Sequence, residues 1–376
     1  MTTSTSTRSR TRRRGFLGVA VVGLAVASSA GVAGASSGSS EPSGTDATMT
    51  TDATADSGGA AGSSIPTPSC DEGADRPLFY VLYKEGTQQY FIEQAQGATE
   101  TAAALCADIQ VVNVEQSGDK AITEMQNAIA AGADGIGITV PDQQIGPQVA
   151  QLAADAGIPV IATDDIISDG DGNPVPFAGF NGTDMGTKVG QMAAQFLNDS
   201  GWVADGENVG MLSVEKQDLS VCVERTDAEK AIVASDGGLA DDQIFPVAGD
   251  GTIDGALTAS SPVITAHPDV THWVIAGCND ESVKGAIQAL LAAGIPVDNI
   301  IGVGLGAYEA CKDWQAGDPS GFKGALYISG YEVGKAAITA LYNDVVNGVP
   351  LPAETIANTS LVDPTNWEDS GLVCTA

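Results

Sequence analysis

The chain has 376 residues, with 16 Lys and Arg against 48 Asp and Glu, for a formal charge of −32. The five arginines before residue 15 are the only charges in residues 1–34, so without that segment the charge becomes −37. A field of that sign repels nucleic acid and anionic membranes, which sets aside partners of both kinds.

In chain order, the polar, arginine-bearing residues 1–14 precede an uncharged run, Gly15 to Gly34. This is the order of an export signal. Arg13-Arg14-Gly15-Phe16-Leu17 resembles a twin-arginine signal, with an ordinary secretory signal as the alternative. The run is also long enough to stay as an uncleaved anchor. Residues 35–69 are Ser, Gly, Thr, Ala, Asp and Pro apart from Glu41, Met49 and Ile65. They bury too little apolar surface to offset the entropy of ordering, so a flexible linker is expected over residues 35–75. The protein is thus expected outside the cytoplasm, free or held at the cell envelope.

The remaining chain, about 300 residues, is enough for two domains of ordinary size. From Pro77 the pattern alternates. Strands are expected at Leu78–Tyr83, Ile109–Val114, Gly135–Val140 and Pro159–Thr163, and helices at Gln88–Leu105, Ala121–Ala131 and Ile145–Ala156. Near-continuous apolar strands between helices indicate a parallel sheet covered on both faces. The pattern then restarts with helix Thr183–Leu197 and strand Val209–Val214, followed by helix Arg225–Ser235 and strand Ile244–Val247. Helix Ile253–His267, strand His272–Ala276, helix Glu281–Ala293 and strand Ile300–Val303 continue it. Two such series predict an α/β protein of two doubly wound parallel-sheet lobes. Glycines at the helix ends, Gly132, Gly157 and Gly294, read as caps feeding strands.

Ligands of open α/β sheets bind beyond the carboxyl ends of the strands. Asp164 and Asp165 follow one such strand and repel each other, so something should compensate them; one could accept hydrogen bonds from sugar hydroxyls, or the pair could be solvated loop acids or a helix cap. Lys84 ends the first strand. Arg225, placed at a helix start where the macrodipole disfavours a cation, asks for an external partner. Tyr90 and Phe91 lie at the mouth of the first lobe and suit the apolar face of a sugar ring, or a core. Cys278 and Asn279 follow the strand His272–Ala276, and Asn279 reads either as a ligand contact or as a helix cap. Asp169-Gly170-Asp171-Gly172-Asn173 reads as a turn, since it lacks the spacing of a calcium loop. No Ser-His-Asp set, HExxH or P-loop occurs, so binding without covalent chemistry or a cofactor is expected.

The six cysteines all fall in the part expected to be exported. Their even number favours disulfides, and no CxxC pair supports a structural zinc site. Fifteen pairings are possible. Position favours Cys222 with Cys278, which follow neighbouring strand ends, and Cys70 with Cys106, leaving Cys311 with Cys374.

Val270-Thr271-His272-Trp273-Val274-Ile275-Ala276-Gly277-Cys278-Asn279-Asp280 resembles the type I periplasmic sugar-binding proteins, and within them the arabinose-binding group. Asn299–Gly304, Ser320–Gly324, Val160–Asp165 and Thr187–Gly190 extend the resemblance over roughly residues 77–370. It implies polar sugar contacts at Lys84, Asp164, Asp165, Arg225 and Asn279, and an aromatic wall at Tyr90 and Phe91. Gln88 stands where the group has Glu, Gly306 where it has a second Asn, and Asp184 where it has a Met facing the sugar. These departures put arabinose itself in question. The resemblance further implies a three-segment hinge near residues 183, 328 and 357. The lobes would then be residues 76–183 with 329–356, and 184–328 with 357–376. A monomer that closes on a monosaccharide and docks on the membrane permease of an ABC importer is expected. The rival readings are a sensor that presents the sugar to a chemoreceptor and a sugar-processing enzyme.

Overall fold

The computed structural model describes Cys70 and residues 75–317 and 319–375. The expected signal and nearly all of the expected linker lie outside the described residues. The first run of elements is β1 (Leu78–Tyr83), α1 (Gln89–Ala104), β2 (Asp108–Asn113), α2 (Gly118–Ala130), β3 (Gly135–Ile138), α3 (Gly146–Ala156), β4 (Val160–Thr163) and β5 (Phe177–Gly179). The second is α4 (Gly182–Ser200), α5 (Trp202–Asp205), β6 (Val209–Glu215), α6 (Ser220–Gly237), β7 (Ile244–Ala248), α7 (Ile253–Ala266), β8 (His272–Gly277), α8 (Asp280–Ala292), β9 (Ile300–Gly306), α9 (Tyr308–Ala316) and β10 (Phe322–Ile328). The chain ends with α10 (Gly330–Asn347), β11 (Glu354–Ile356) and β12 (Thr359–Val362).

These strands form two six-stranded sheets, ordered β11-β5-β4-β3-β1-β2 and β12-β10-β9-β8-β6-β7. Every pairing is parallel except β10 with β12. The expected doubly wound α/β class is therefore the fold found. Strands β6 and β9 are buried at every residue, as befits strands covered on both faces. In each sheet the order reverses beside the first strand of its series, at β1/β3 and β6/β8. That switch point opens a crevice at the carboxyl ends.

The chain passes between the sheets three times. After β5 it enters α4, which packs on β8, β9 and β10. After β10 it enters α10, which packs on β3, β4 and β5. After β11 it returns as β12. At both helical crossings the new helix touches a cavity helix through main chain. A methyl group at Gly334 of α10 would overlap the Gln94 carbonyl of α1, and one at Gly186 of α4 would overlap the Arg225 carbonyl of α6.

Two expectations change. Helix α6 starts at Ser220, so Arg225 lies in its second turn and not at its start. Its buried positions hold Arg225, Thr226 and Glu229 beside Val221, Cys222 and Val233, which blurs the apolar period. Beyond Val303, α9, β10, α10, β11 and β12 continue past the last element expected from periodicity. The three disulfides are Cys70–Cys106, Cys222–Cys278 and Cys311–Cys374, with Cα separations of 5.3, 4.8 and 5.9 Å.

Candidate functional site

One wall of the site grows from β1 and β4. Strand β1 delivers Lys84. Strand β4 ends in a tight turn in which the Asp165 N–H donates to the Thr163 carbonyl at 2.6 Å. The turn is centred on Asp164, whose φ of 61° is left-handed and costs a non-glycine residue strain. It turns both carboxylates to one ammonium: Lys84 Nζ lies 2.5 Å from Asp165 Oδ2 and 3.4 Å from Asp164 Oδ2. Asp165 is fully buried and Asp164 is 5% exposed. Burial pulls the Lys84 ammonium down, but Asp165 and Asp164 outweigh it and leave its pKa above the ordinary value. Burial pushes Asp165 up to about 6 against the pull of Lys84. Lys84 Nζ also lies 5.2 Å from the centre of the Phe91 ring, a cation–π distance. Lys84 is thus what compensates the acidic pair, with Arg225 facing it from the other wall.

That second wall comes from α6, from the turn after β8 and from the end of β9. Arg225, 4% exposed, donates from Nη1 to the Cys278 carbonyl at 2.9 Å, and its Nη2 lies 3.9 Å from Asp164 Oδ1. Asn279 is the cap of α8. Its Oδ1 accepts from the Ser282 N–H at 3.1 Å and from Ser282 Oγ at 2.6 Å, and its Nδ2 donates to the Gly251 carbonyl at 2.9 Å. Asp280 accepts the Glu309 and Ala310 N–H groups at the start of α9, at 2.8 and 3.1 Å. Burial pushes Asp280 up to about 6 and Glu281 up to about 8, with the Asp280 charge adding to the shift of Glu281. Gly306 has a φ of 130°, which no L side chain adopts comfortably, so an Asn there would need a different strand end.

Three side chains reach across. Gln88 Nε2 donates to the Gly251 carbonyl at 3.1 Å. Gln143 accepts the Ser220 N–H at 2.5 Å and donates to Ser220 Oγ at 2.9 Å, while also bonding the Ile166 carbonyl. Tyr308 Oη donates to Glu93 Oε2 at 2.7 Å beside the β10–α10 crossing.

Between the walls lies a cavity of about 670 Å³, its open mouth included. Lys84, Gln88, Tyr90, Phe91, Asp164, Asp165, Arg225, Cys278, Asn279 and Gly306 all border it. Asp184 does not. It sits in the first turn of α4 with its side chain 56% exposed, paired with Lys188 at 2.7 Å, and its N–H donates to the capping Asn181 at 2.8 Å. The family resemblance implies a place facing the sugar. The helix start instead sends it to solvent, where an acid suits the helix dipole. Gln88 and Asn279 border the cavity with much of their hydrogen-bonding capacity already engaged. Sequence reasoning missed Lys216, Gly251, Glu281 and Tyr308, which also border it. Five buried polar atoms on the cavity residues have no hydrogen-bond partner: Tyr90 Oη, Asp165 Oδ1, Arg225 Nε and Nη2, and Asp280 Oδ1.

Two parallel-sheet lobes with a polar cleft between their strand ends define a solute-binding protein of the two-lobed α/β class. A family profile described as "Periplasmic binding protein domain" matches residues 79–348. The chain belongs to this family. Over 303 residues, 78% of the chain and 89% of the relative, it is 32% identical to an ABC transporter L-arabinose-binding periplasmic protein of Azospirillum brasilense. It is 27% identical to the L-arabinose-binding periplasmic protein of Escherichia coli, over 77% of the chain and 88% of that protein. Among solved structures, an ABC transporter solute-binding protein from Bacillus halodurans with bound myo-inositol superposes with a TM-score of 0.65 at 17% identity. That match covers 80% of this chain and 98% of the other.

Proposed function

We propose that this protein captures a neutral monosaccharide, an arabinose-like pentose or a related hexose, between its two lobes and delivers it to an ABC importer. The observation that carries the reading is the convergence of Lys84, Asp164, Asp165 and Arg225 in one cavity, with buried donors and acceptors left over on both walls. A buried polar atom without a partner costs about 1–3 kcal/mol, and a polyhydroxylated ring supplies donors and acceptors together. Tyr90 and Phe91 supply an apolar surface for the ring's CH face. The lobes are residues 76–183 with 329–356 and 184–328 with 357–376, hinged near residues 183, 328 and 357. The sugar stabilises the closed state by touching both walls. The chain works as a monomer outside the cytoplasm and docks on a membrane permease.

The test is a thermal-shift screen of L-arabinose, D-xylose, D-ribose, D-galactose and myo-inositol, followed by calorimetry. A ligand that binds only the folded chain raises its apparent stability. A shift with one or two of these compounds, released unmodified, supports the reading. No shift with any of them overturns it. Delivery is checked by adding the loaded protein to its permease in vesicles and measuring ATP hydrolysis.

A further inference from the structure

Two of the three disulfides lie away from the cavity, whereas both cysteines of the third, Cys222 and Cys278, border it. Cys222 is 1% exposed and Cys278 is 4% exposed. We propose that the Cys222–Cys278 disulfide is a positioning element for Arg225, so that sugar affinity requires this crosslink. The inference rests on the sugar-binding reading above.

The geometry around Arg225 leads there. Cys222 precedes Arg225 by three residues on α6, so the two stand on one face of the helix. Cys278 provides the carbonyl to which Arg225 Nη1 donates. The crosslink therefore joins the element that carries the donor to the residue that carries the acceptor. Little else fixes the guanidinium. Its Nε and Nη2 have no hydrogen-bond partner, and Asp164 is 3.9 Å away. Glu229, one turn further along α6 and fully buried, forms no hydrogen bond through either oxygen. Nor is the start of α6 held by its own cap: Leu219 contributes no side-chain hydrogen bond. Besides the disulfide and the packing of its first turn on α4, where Gly182 lies against Val221 and Glu224, Gln143 holds that turn by hydrogen bonds, and it comes from the opposite lobe, so that hold is released when the cleft opens. In the open state the disulfide remains as the covalent tie between the Arg225 helix and the β8–α8 turn, beside the Arg225 hydrogen bond it positions. Arg225 has a long, rotamer-rich stem, and a guanidinium kept in place before the sugar arrives loses less freedom on binding.

The experiment compares three proteins by calorimetry, each with the strongest binder of the sugar panel. These are the wild type, Cys222→Ala/Cys278→Ala, and Cys70→Ala/Cys106→Ala, which removes a disulfide remote from the cavity. The expected result is binding about tenfold weaker or more in the first double variant and within about twofold of wild type in the second. Arg225→Lys supplies the readout that a merely structural role would not move. In that background, removing Cys222–Cys278 should change affinity by less than about threefold, because the interaction it supports is already gone. Affinity within twofold of wild type after removal of Cys222–Cys278, or an equal loss in both backgrounds, overturns the proposal while leaving sugar binding intact. If the alanine pair does not fold, Cys222→Val/Cys278→Ala carries the same comparison with less lost volume. If the wild type binds no sugar of the panel, the sugar-binding reading itself has failed, and this inference with it.

Discussion

The two walls of the cavity reach the same end by different physics. On the β1–β4 wall, Lys84 and Asp165 neutralise each other within one lobe, and a strained turn at Asp164 aims the second carboxylate. On the α6–α8 wall, Arg225 has no acid at hydrogen-bond distance. It is placed by a main-chain carbonyl and by the helix that a disulfide ties down. Both walls keep polar atoms without hydrogen bonds, Tyr90 Oη and Asp165 Oδ1 on the first and Arg225 Nε and Nη2 on the second, but the walls differ in how their charges are held. An ion pair is already compensated, whereas a guanidinium with two unpartnered nitrogens is not.

The largest effect should come from the uncompensated side. Arg225→Ala is expected to weaken sugar binding about 100-fold or more, on the order of 3 kcal/mol for a lost charged donor, while the chain stays folded by circular dichroism. Unchanged affinity in calorimetry would place the decisive contact on the Lys84 wall instead. Next comes the contact that holds the walls together. Gln143→Ala removes two hydrogen bonds to Ser220, each worth about 1 kcal/mol, and should weaken affinity about tenfold without touching the sugar. Stopped-flow dissociation should show most of that loss as a faster off-rate. If the off-rate stays the same, Gln143 does not hold the cleft closed.

A smaller effect concerns Glu281 on the second wall. Its pKa rises from 4.5 to about 8 in the folded chain, chiefly through burial. The folded chain keeps that proton where the unfolded chain has lost it, so this group lowers stability as pH climbs from about 4.5 to about 8. Glu281→Gln should therefore raise the Tm by about 2 °C at pH 8 and leave it unchanged at pH 4. Equal shifts at both pH values would mean that the carboxyl titrates normally. The smallest effect is at Asp184. Asp184→Met should leave the ratio of affinities for two sugars differing at one carbon within about twofold. A larger change would bring that first turn of α4 back into the site.

The same contrast explains what could be read from the chain. Strands β1 to β4 and β6 to β9 announce themselves as apolar runs, whereas the three-residue β5 was not expected, and the rule that ligands sit beyond strand carboxyl ends led to Lys84, Asp164, Asp165 and Asn279. The start of α6 was misplaced because polar residues occupy its buried face. Edge strands β11 and β12 are short and mostly exposed, so they carry little periodic signal. Gln143, Gly251 and Tyr308 matter through partners 77, 163 and 215 residues away. Nothing local marks such residues, since their meaning arises only when two lobes meet. The Cys222–Cys278 pairing was legible because β6 and β8 are neighbours, with Val214 opposite Gly277.

The main-chain contact between Gly186 and the Arg225 carbonyl bears on how this chain could be engineered. Replacing a helical glycine with alanine is a routine stabilising step, worth about 0.4–1 kcal/mol where the backbone permits it. At Gly186 the added methyl group would push α6 off α4 and carry Arg225 with it. The same contact is an asset in a biosensor. Helix α4 begins just after the crossing from β5, so a reorientation there reaches the guanidinium through rigid backbone, with no side-chain rotamers to absorb it. A fluorophore attached to the exposed face of α4, at Asp184 for instance, would report sugar capture from outside the cavity.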